Sequence, residues 1–442
     1  MIRFSTVARV RPGGVRAVLR NLGWLLASRG LLAVLSLLYL GIATRTLGIH
    51  DFGRFALITG AAQGLATLVG FQTWQVVVRY GVDHRAHEDE GALARLYRVC
   101  MLLDAASALV GIAIAALVLA AWRDRLGIPP ALMRDTLIFT VAQLVTVRSA
   151  AIGILRVSDR FGEAAAADSV TPLVRLVGAV GAAVFGPSLH AFLWAWAAAE
   201  IATAATYWWL LVRSGDAARI WSAALSWNAL LTENPHFPRF LLSTNLVSSL
   251  GLATKQVPLL LVGGFTGPAA AGAFRIALQL AQALAKLAQL IARAAFPEVV
   301  RAVRQTPPAE LGSALGRMFR ASGGVGLAIL AVVALVGQPV LVLVGGDRAY
   351  AAAYPLLLWL ATAGCIDLAV VAFEPVLLAA NRSATAVASR GVGIAAQIGT
   401  TLVLLPRIGA VAASIGVFVS SLIGAVLLGM TVVRYARSGA RG

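Results

Sequence analysis

One predicted helix in the second half of this 442-residue chain carries a row of charged and amide side chains. Successive members are four, three, four, three and four residues apart, so at about 100° per residue they share one face of the helix. At about 1.5 Å per residue the row covers about 27 Å, nearly the thickness of a bilayer's hydrocarbon core. Phosphate or diphosphate suits both the planar guanidinium of arginine and the compact ammonium of lysine. We call this row the cationic face: Arg275, Gln279, Gln282, Lys286, Gln289 and Arg293.

Two interpretations of the cationic face stay open at the level of sequence. It either pairs with acids on neighbouring helices or lines a water-filled cavity, and its continuity and positive charge favour the cavity. Lys255 lies deep in the preceding apolar segment, and it and Lys286 are the only lysines of the chain. Arg29 is a further candidate for the cavity, although it and Arg148 lie close enough to a predicted inner surface to extend out to it.

Five acids lie within apolar segments: Asp104, Asp168, Glu200, Asp367 and Glu374. Each is either a counter-ion for the basic residues or a candidate site for coupling to protons or sodium ions. Arg175 follows Asp168 by seven residues, and Glu374 follows Asp367 by seven, so each pair shares a face if its helix is continuous. The sequence leaves open whether the Asp168–Arg175 pair is structural or functional.

Composition dictates the kind of element that positions these side chains. Hydrophobic residues make up 59% of the chain, charged residues 13%, and the mean hydropathy is +0.84. A soluble protein of this size could not bury so much apolar surface, and the apolar runs do not alternate as barrel strands do. The fold class expected is therefore an all-α integral membrane protein. The net charge of +18 does not indicate nucleic-acid binding, because the arginines lie at the ends of apolar segments.

Twelve membrane-spanning helices are predicted, and the arginines orient them. Of the arginines at segment ends, 23 fall on the side of the termini and the even-numbered loops, and 7 on the other. The positive-inside rule places both termini in the cytoplasm. The predicted spans are 21–44, 52–79, 97–121, 132–156, 161–186, 189–213, 238–264, 271–297, 318–345, 352–379, 384–405 and 409–433.

An internal repeat divides the chain into two lobes. The stretch "RTLGIHDFGRFAL" at 45–57 recurs in altered form at 265–278, where Gly48, Gly53 and Phe55 match residues 219 positions later. Six spans in each half give two parallel six-helix lobes related by a pseudo-two-fold axis along the membrane normal. The predicted parts are a basic N-terminal segment 1–20, an N-lobe 21–213, a cytoplasmic linker 214–237, a C-lobe 238–433 and a tail 434–442.

The sequence lacks two common signatures of enzymes. No GxxxxGK[ST] loop for nucleotide binding and no GxSxG nucleophile turn occurs. Cys100 and Cys365 lie inside apolar segments and predict packing, and the cluster of His84, His87 and Glu88-Asp89-Glu90 reads as a solvated loop in preference to a metal site. We therefore expect a protein that is not an enzyme and holds no cofactor or metal, apart from candidate H⁺ or Na⁺ coupling.

Several stretches together resemble one family. "LGIHDFGRFAL", the opening "NLGWLLASRGLLAVLSLLYLGIATRTLG" and "AANRSATA" resemble bacterial polysaccharide-biosynthesis flippases, the Wzx-type oligosaccharide flippases of the multidrug/oligosaccharidyl-lipid/polysaccharide exporter superfamily. The resemblance implies a V-shaped pair of lobes in the bacterial inner membrane. Such a protein moves an undecaprenyl-diphosphate-linked oligosaccharide to the outer leaflet for lipopolysaccharide O-antigen or exopolysaccharide synthesis, beside a polymerase and other assembly proteins.

The resemblance also implies roles for particular residues. Arg29, Lys255, Arg275, Lys286 and Arg293 would bind the diphosphate and acidic sugars from the central cavity, while Thr67 stands where the N-lobe would match Lys286. Three rivals stay open: a multidrug or cation antiporter of the same superfamily, a membrane-embedded polymerase or ligase, and a non-transporting scaffold. An antiporter of cationic drugs would favour an acidic cavity, a polymerase would need a large outer loop, and a scaffold would need no intramembrane charge.

Overall fold

The computed structural model is helical throughout the residues it describes, which are 14–121, 129–146, 148–305, 311–371, 373, 377 and 383–439. Side chains at 14–34, 253, 287–305, 311–315, 383–384, 386–387 and 435–439 lie outside the description. The helices are α1 (Gly14–Val69), α2 (Thr73–Ala86), α3 (Glu90–Ala121), α4 (Pro130–Val145), α5 (Ser149–Val157), α6 (Phe161–Phe185), α7 (Leu189–Arg213), α8 (Asp216–Ser222), α9 (Trp227–Glu233), α10 (Phe237–Thr266), α11 (Pro268–Gln305), α12 (Leu311–Gly345), α13 (Tyr354–Ala369), α14 (Ser383–Ile408) and α15 (Val411–Gly439), with a 3₁₀ helix at Arg348–Ala353 before α13.

Three predicted spans are not continuous helices. The second breaks at 70–72, between α1 and α2, and the fourth breaks where α4 ends at Val145, before α5 begins at Ser149. The tenth, predicted over 352–379, leaves regular α-helix at Ala369. Gly70 carries no side chain to support the helix, and the β-branched Thr146 has a low helix propensity. The two breaks lie against each other, because α2 packs on α5.

Fewer than twelve helices pass a test of length and hydropathy. Among the described residues eight do, and a ninth follows if the two parts of α10, which meet at a bend of 43°, form one crossing. Leu35–Ala86 counts once there although it contains the end of the first predicted span and the whole second one. The polar side chains of α7 and α11 lower their mean hydropathy. The count of twelve is consistent with these helices and stays a prediction.

The two repeated elbows have the same backbone conformation and touch each other. Gly48 has φ 70° and ψ 172° inside α1, and Gly267 has φ 90° and ψ 172° between α10 and α11. Both φ values lie in the region that glycine alone adopts readily. Beyond these kinks the chain of Gly53 approaches that of Gly272 so closely that a Cβ on Gly53 would lie 1.7 Å from the carbonyl oxygen of Pro268. We call the end of the molecule that holds this contact the elbow end, and the opposite end the linker end.

The apolar cores show how the lobes are joined. At the elbow end one core takes residues from both lobes, for example Phe55 and Trp196 of the N-lobe with Phe274 and Leu360 of the C-lobe. Toward the linker end the N-lobe has a separate core, which includes only the first turns of α10 from the C-lobe side. Within the described residues the lobes therefore share a core at the elbow end and have separate cores toward the linker end.

The segment 214–237 is docked on the N-lobe. It forms α8 and α9, whose Ile220 and Leu230 are buried in the N-lobe core. Glu233 of α9 accepts from the Nε of Arg95 at 3.2 Å, and the Nε2 of His84 lies 2.9 Å from the Oδ1 of Asn234. The predicted linker is thus attached to the first lobe along its length, and α10 leads from it into the second.

Candidate functional site

The end of the cationic face that is nearer the elbow end of the molecule lies against the N-lobe. Arg275 lies on α11 beside Tyr39 and Arg175 of the first lobe, close enough for electrostatic interaction with both. Because Gln279, Gln282 and Lys286 follow at helical spacing on the same continuous helix, their face continues from this contact toward the linker end. At Arg275, the residue of the cationic face nearest the elbow end, this face therefore lies at the interface between the lobes.

Three cations of the C-lobe have no acidic partner among the described residues. No ion pair within the described part of the chain includes Lys255, Arg275 or Lys286. Lys255 and Lys286 are exposed, whereas Arg275, Gln279 and Gln282 are half-buried. The side chains of Arg29, Gln289 and Arg293 lie outside the described residues, although the backbone at these positions is helical.

The equivalent helix of the N-lobe lines a polar cavity. Gln63 and Thr67 correspond to Gln282 and Lys286 at the offset of 219 residues, and both belong to the wall of a partly open cavity of about 370 Å³. At its rim the side-chain amide of Gln256, on α10, donates to the Oε1 of Gln63 at 3.0 Å. The cavity therefore adjoins the interface of the two lobes.

Glu200 holds together the basic residues of the N-lobe. Its carboxylate lies 2.8 Å from Arg148 and 2.7 Å from Arg175, and its side chain is only 3% exposed. The guanidinium of Arg175 also lies over the rings of Trp196 and Tyr39. Arg148 is placed by the break in the fourth span, where it precedes α5. In contrast to Lys255 and Lys286, these two arginines share a carboxylate within their own lobe.

Asp104 joins the two broken spans. Its carboxylate accepts from the hydroxyl of Thr73, the first residue of α2, at 2.8 and 2.9 Å, and from the backbone N–H of Ala150 in α5 at 3.0 Å. The backbone N–H of Trp74 donates to the hydroxyl of Ser149 at 3.2 Å. A carboxylate at two helix N-termini satisfies exposed N–H groups and complements both helix dipoles. The buried Asp104 thus stabilises the breaks.

For Asp168 and Asp367, the structure does not show a pair with the residue seven positions later in the sequence. Asp168 does not pair with Arg175: it accepts a hydrogen bond at 2.7 Å from Tyr207, because seven residues along a helix separate two side chains by about 10 Å while α7 lies alongside. Asp367 accepts a hydrogen bond from Ser421 and lies near Arg390. Its expected partner Glu374 follows the end of α13 at Ala369 and lies outside the described residues, so no continuous helix relates the two.

The cavity at the two breaks was not predicted from the sequence. Gln72, Gln143, Thr146 and Ser149 line it, yet each reads in the sequence as an ordinary polar residue between apolar ones. The available signal was an interruption of both apolar runs by "VGFQT" and "VTVRS". Broken helices that line a polar space are a recurrent source of binding sites in transporters.

Known proteins of similar sequence concern polysaccharide biosynthesis and the inner membrane. Residues 18–303 match the model of a family described as polysaccharide biosynthesis protein. The inner membrane protein YghQ of Escherichia coli (strain K12) is 31% identical over 355 residues, which are 78% of this chain and 97% of that protein.

Solved structures of similar fold are exporters. The lipid II flippase MurJ in an inward closed conformation matches with a TM-score of 0.67 and 10% identity, over 94% of this chain and 89% of that one. An inward-facing multidrug resistance MATE family transporter of the MOP superfamily matches with a TM-score of 0.62 and 14% identity, over 92% and 96%. A MOP superfamily transporter from Pyrococcus furiosus, described as having a binding pocket of reverse polarity, matches with a TM-score of 0.53 and 14% identity, over 92% and 96%. The chain thus has the fold of these exporters.

Proposed function

This chain belongs to the polysaccharide biosynthesis protein family, and on that premise we propose that it is a flippase of the bacterial inner membrane. Its cargo is an undecaprenyl-diphosphate-linked oligosaccharide destined for surface polysaccharide, either lipopolysaccharide O-antigen or exopolysaccharide. The protein binds this lipid at the cytoplasmic leaflet and releases it at the outer leaflet by alternating access. A polymerase or another assembly protein would receive the cargo there.

The observation that carries this proposal is the position of Arg275, the first cation of the cationic face, at the contact between the two lobes. Arg275 lies against the N-lobe, and the described ion pairs leave it and Lys286 without a carboxylate. A cation inside a membrane costs about 2.5–3.5 kcal/mol or more, so it is kept where water or an anion compensates it. A diphosphate with its several negative oxygens is such an anion, and arginine and lysine bind it by complementary geometries.

The packing of the lobes corresponds to a state closed at the elbow end, from which transport would begin. A shared core closes the elbow end, and Gly53 and Gly272 seal it by backbone contact. Toward the linker end no core shared by the lobes is found among the described residues, which is what a cavity open at that end requires. The arginine distribution assigns the linker end to the cytoplasm. In the cycle that we propose, this state is closed to the outside, and the cargo reaches the cationic face from the inner leaflet.

A cationic-drug antiporter accounts less well for these residues. A pump for positively charged drugs needs negative charge in its cavity, because like charges repel. Glu200 is occupied by Arg148 and Arg175, whereas Lys255 and Lys286 are exposed. The charge that is available between the lobes is positive, which favours an anionic cargo.

Replacement of Lys286 tests the proposal. Lys286→Ala should remain in the membrane at normal levels yet abolish delivery of lipid-linked glycan to the outer leaflet, since the diphosphate loses its deepest cation. Lys286→Arg keeps the charge and should retain most delivery. The measurement is surface glycan in cells lacking the native gene. Normal delivery by Lys286→Ala, and by a Lys255→Ala/Lys286→Ala double variant, would contradict the assignment.

A further inference from the structure

We propose that the polar cavity at the two broken spans of the N-lobe is a carbohydrate-binding subsite for the glycan of the transported lipid. This inference rests on the proposed function and adds a division of labour to it. The C-lobe binds the diphosphate through the cationic face, while the N-lobe binds a sugar through neutral polar groups. The cavity consists of residues from α1 to α5 around the breaks between α1 and α2 and between α4 and α5.

Size and position suit such a ligand. A volume of about 370 Å³ lies within the range of small-molecule sites, which runs from about 300 to 1,000 Å³. Asp104, which lines the cavity, lies within the predicted third span, 97–121, so the cavity is at membrane depth if that span is correct. The hydrogen bond from Gln256 to Gln63 places one lining residue of the cavity at the lobe interface. A sugar bound here would remain attached to a diphosphate held across the interface.

Both charged side chains that line the cavity, Asp104 and Arg148, already have partners. Arg148 reaches the wall of the cavity, but its guanidinium is paired with Glu200 at 2.8 Å. Asp104 is bonded to Thr73 and to the N–H of Ala150, so it occupies the positive ends of both half-helices. An anion such as phosphate would meet the Asp104 carboxylate where it would otherwise find helix N-termini. A cation would meet the guanidinium of Arg148. The balance of charge therefore favours a neutral ligand.

The remaining lining supplies the groups that bind hydroxyls. Three side-chain amides and four side-chain hydroxyls line the same space: Gln63, Gln72, Gln143, Thr67, Ser107, Thr146 and Ser149. Amides and hydroxyls both donate and accept, as sugar hydroxyls do, so this lining can form hydrogen bonds of either direction with a sugar ring. Such a set also distinguishes sugars, because a missing hydroxyl leaves a protein group unpaired.

The contrast between the lobes supports this division. Thr67 lines the cavity at the position that corresponds to Lys286, and Gln63 at the position of Gln282. The same helical frame thus presents a neutral hydroxyl in one lobe and an ammonium in the other. A lipid-linked glycan has the same asymmetry, with a charged diphosphate at one end and hydroxyl-rich rings at the other.

The test compares lipids with and without sugar on the full-length protein in lipid nanodiscs. The sugar-free probe is undecaprenyl diphosphate. The second probe is the glycosylated lipid-diphosphate fraction extracted from source cells that lack this protein, in which untransported lipid accumulates. Gln143→Ala removes a lining amide, and Ala66→Leu fills part of the cavity. Gln75→Ala, which removes a half-buried amide on α2 outside the lining, is the matched control.

We expect Gln143→Ala to weaken binding of the glycosylated lipids about 3- to 10-fold and Ala66→Leu about 10-fold or more, each with undecaprenyl diphosphate unchanged. Gln75→Ala should bind both probes normally. Unchanged binding of the glycosylated lipids by both cavity variants, or an equal loss for the two probes, would overturn the subsite. Lys286→Ala separates the two proposals: loss of both probes there supports the cationic face, whereas retention of both would refute that face while a selective effect of Gln143→Ala still upheld the cavity.

Discussion

At the scale of single residues, the two lobes differ in how their charges are compensated. Glu200 is buried and lies 2.8 Å from Arg148 and 2.7 Å from Arg175, so each of these arginines has a carboxylate partner within the N-lobe. Lys286 and Arg275 of the C-lobe take part in none of the ion pairs described. We infer that the first set maintains structure and that the second is available to cargo.

Loss of the Glu200 charge should therefore destabilise the protein. Glu200→Gln leaves two guanidinium groups facing each other without their carboxylate, and breaking a buried ion pair on one side costs about 3–5 kcal/mol. We expect a clear drop in the melting temperature of the detergent-purified protein. Glu163→Gln is the control, since Glu163 pairs with Arg160 in a more exposed setting, and it should melt almost as the wild type does. Equal melting of the two variants would contradict the structural role of Glu200.

At the residue scale, the intramembrane cations of the C-lobe could be predicted from the sequence, whereas the partner of Arg175 could not. Lys286 and Arg275 were identifiable because cations inside apolar runs are rare and their spacing matched one helix face. The partner of Arg175 was not, because Asp168 on the same helix was the nearer acid in sequence while Glu200 on α7 is the nearer one in space. Pairing across helices depends on how they pack, which a single sequence does not specify.

At the scale of elements, the repeated elbow explains a close approach of the two lobes. A Cβ on Gly53 would lie 1.7 Å from the carbonyl oxygen of Pro268, and one on Gly272 would lie 2.7 Å from the carbonyl oxygen of Ile49. Even a methyl group at Gly53 thus forces the two backbones apart. The repeat was visible in the sequence as an offset of 219 residues, but its self-contact was not.

Gly53→Ala should open the elbow end. In a variant without native cysteines, we expect Ala277→Cys, whose position is fully buried in the shared core, to react faster with a membrane-impermeant maleimide added outside intact cells when Gly53→Ala is also present. Gly264→Ala serves as control, because a Cβ there would meet nothing within 4 Å. No increase with Gly53→Ala, or the same increase with Gly264→Ala, would count against closure by this contact.

The broken helices were the elements least accessible to prediction. The runs that contain 70–72 and 146–148 are apolar enough to read as single spans, and the predicted bounds 52–79 and 132–156 cross both breaks. What makes the breaks stable is Asp104 on a third helix, which accepts from Thr73 and Ala150. Backbone groups freed within a membrane need such a partner, and its identity follows from tertiary packing.

At the scale of the whole molecule, closure at one end and separation at the other define one state of a transport cycle. The lobes share a core at the elbow end, and the segment 214–237 is fixed to the N-lobe at the other. A rocking motion about the elbow contact would transfer the space between the lobes from one side of the membrane to the other. Loss of the shared core on opening must be offset by contacts at the linker end and by bound cargo.

Chemical access to position 282, on the cationic face one turn before Lys286, tests the central claim most directly. The variant Gln282→Cys, which keeps Arg275 and Lys286 in a protein whose Cys100 and Cys365 are replaced by alanine, would be treated with a negatively charged, membrane-impermeant methanethiosulfonate reagent. We predict fast reaction in inverted vesicles, where the cytoplasmic face is outside, slow reaction in right-side-out vesicles, and protection by added undecaprenyl diphosphate. A thiol that reacts from neither side, or that reacts equally well with and without undecaprenyl diphosphate, would contradict a water-lined cationic face that binds the diphosphate.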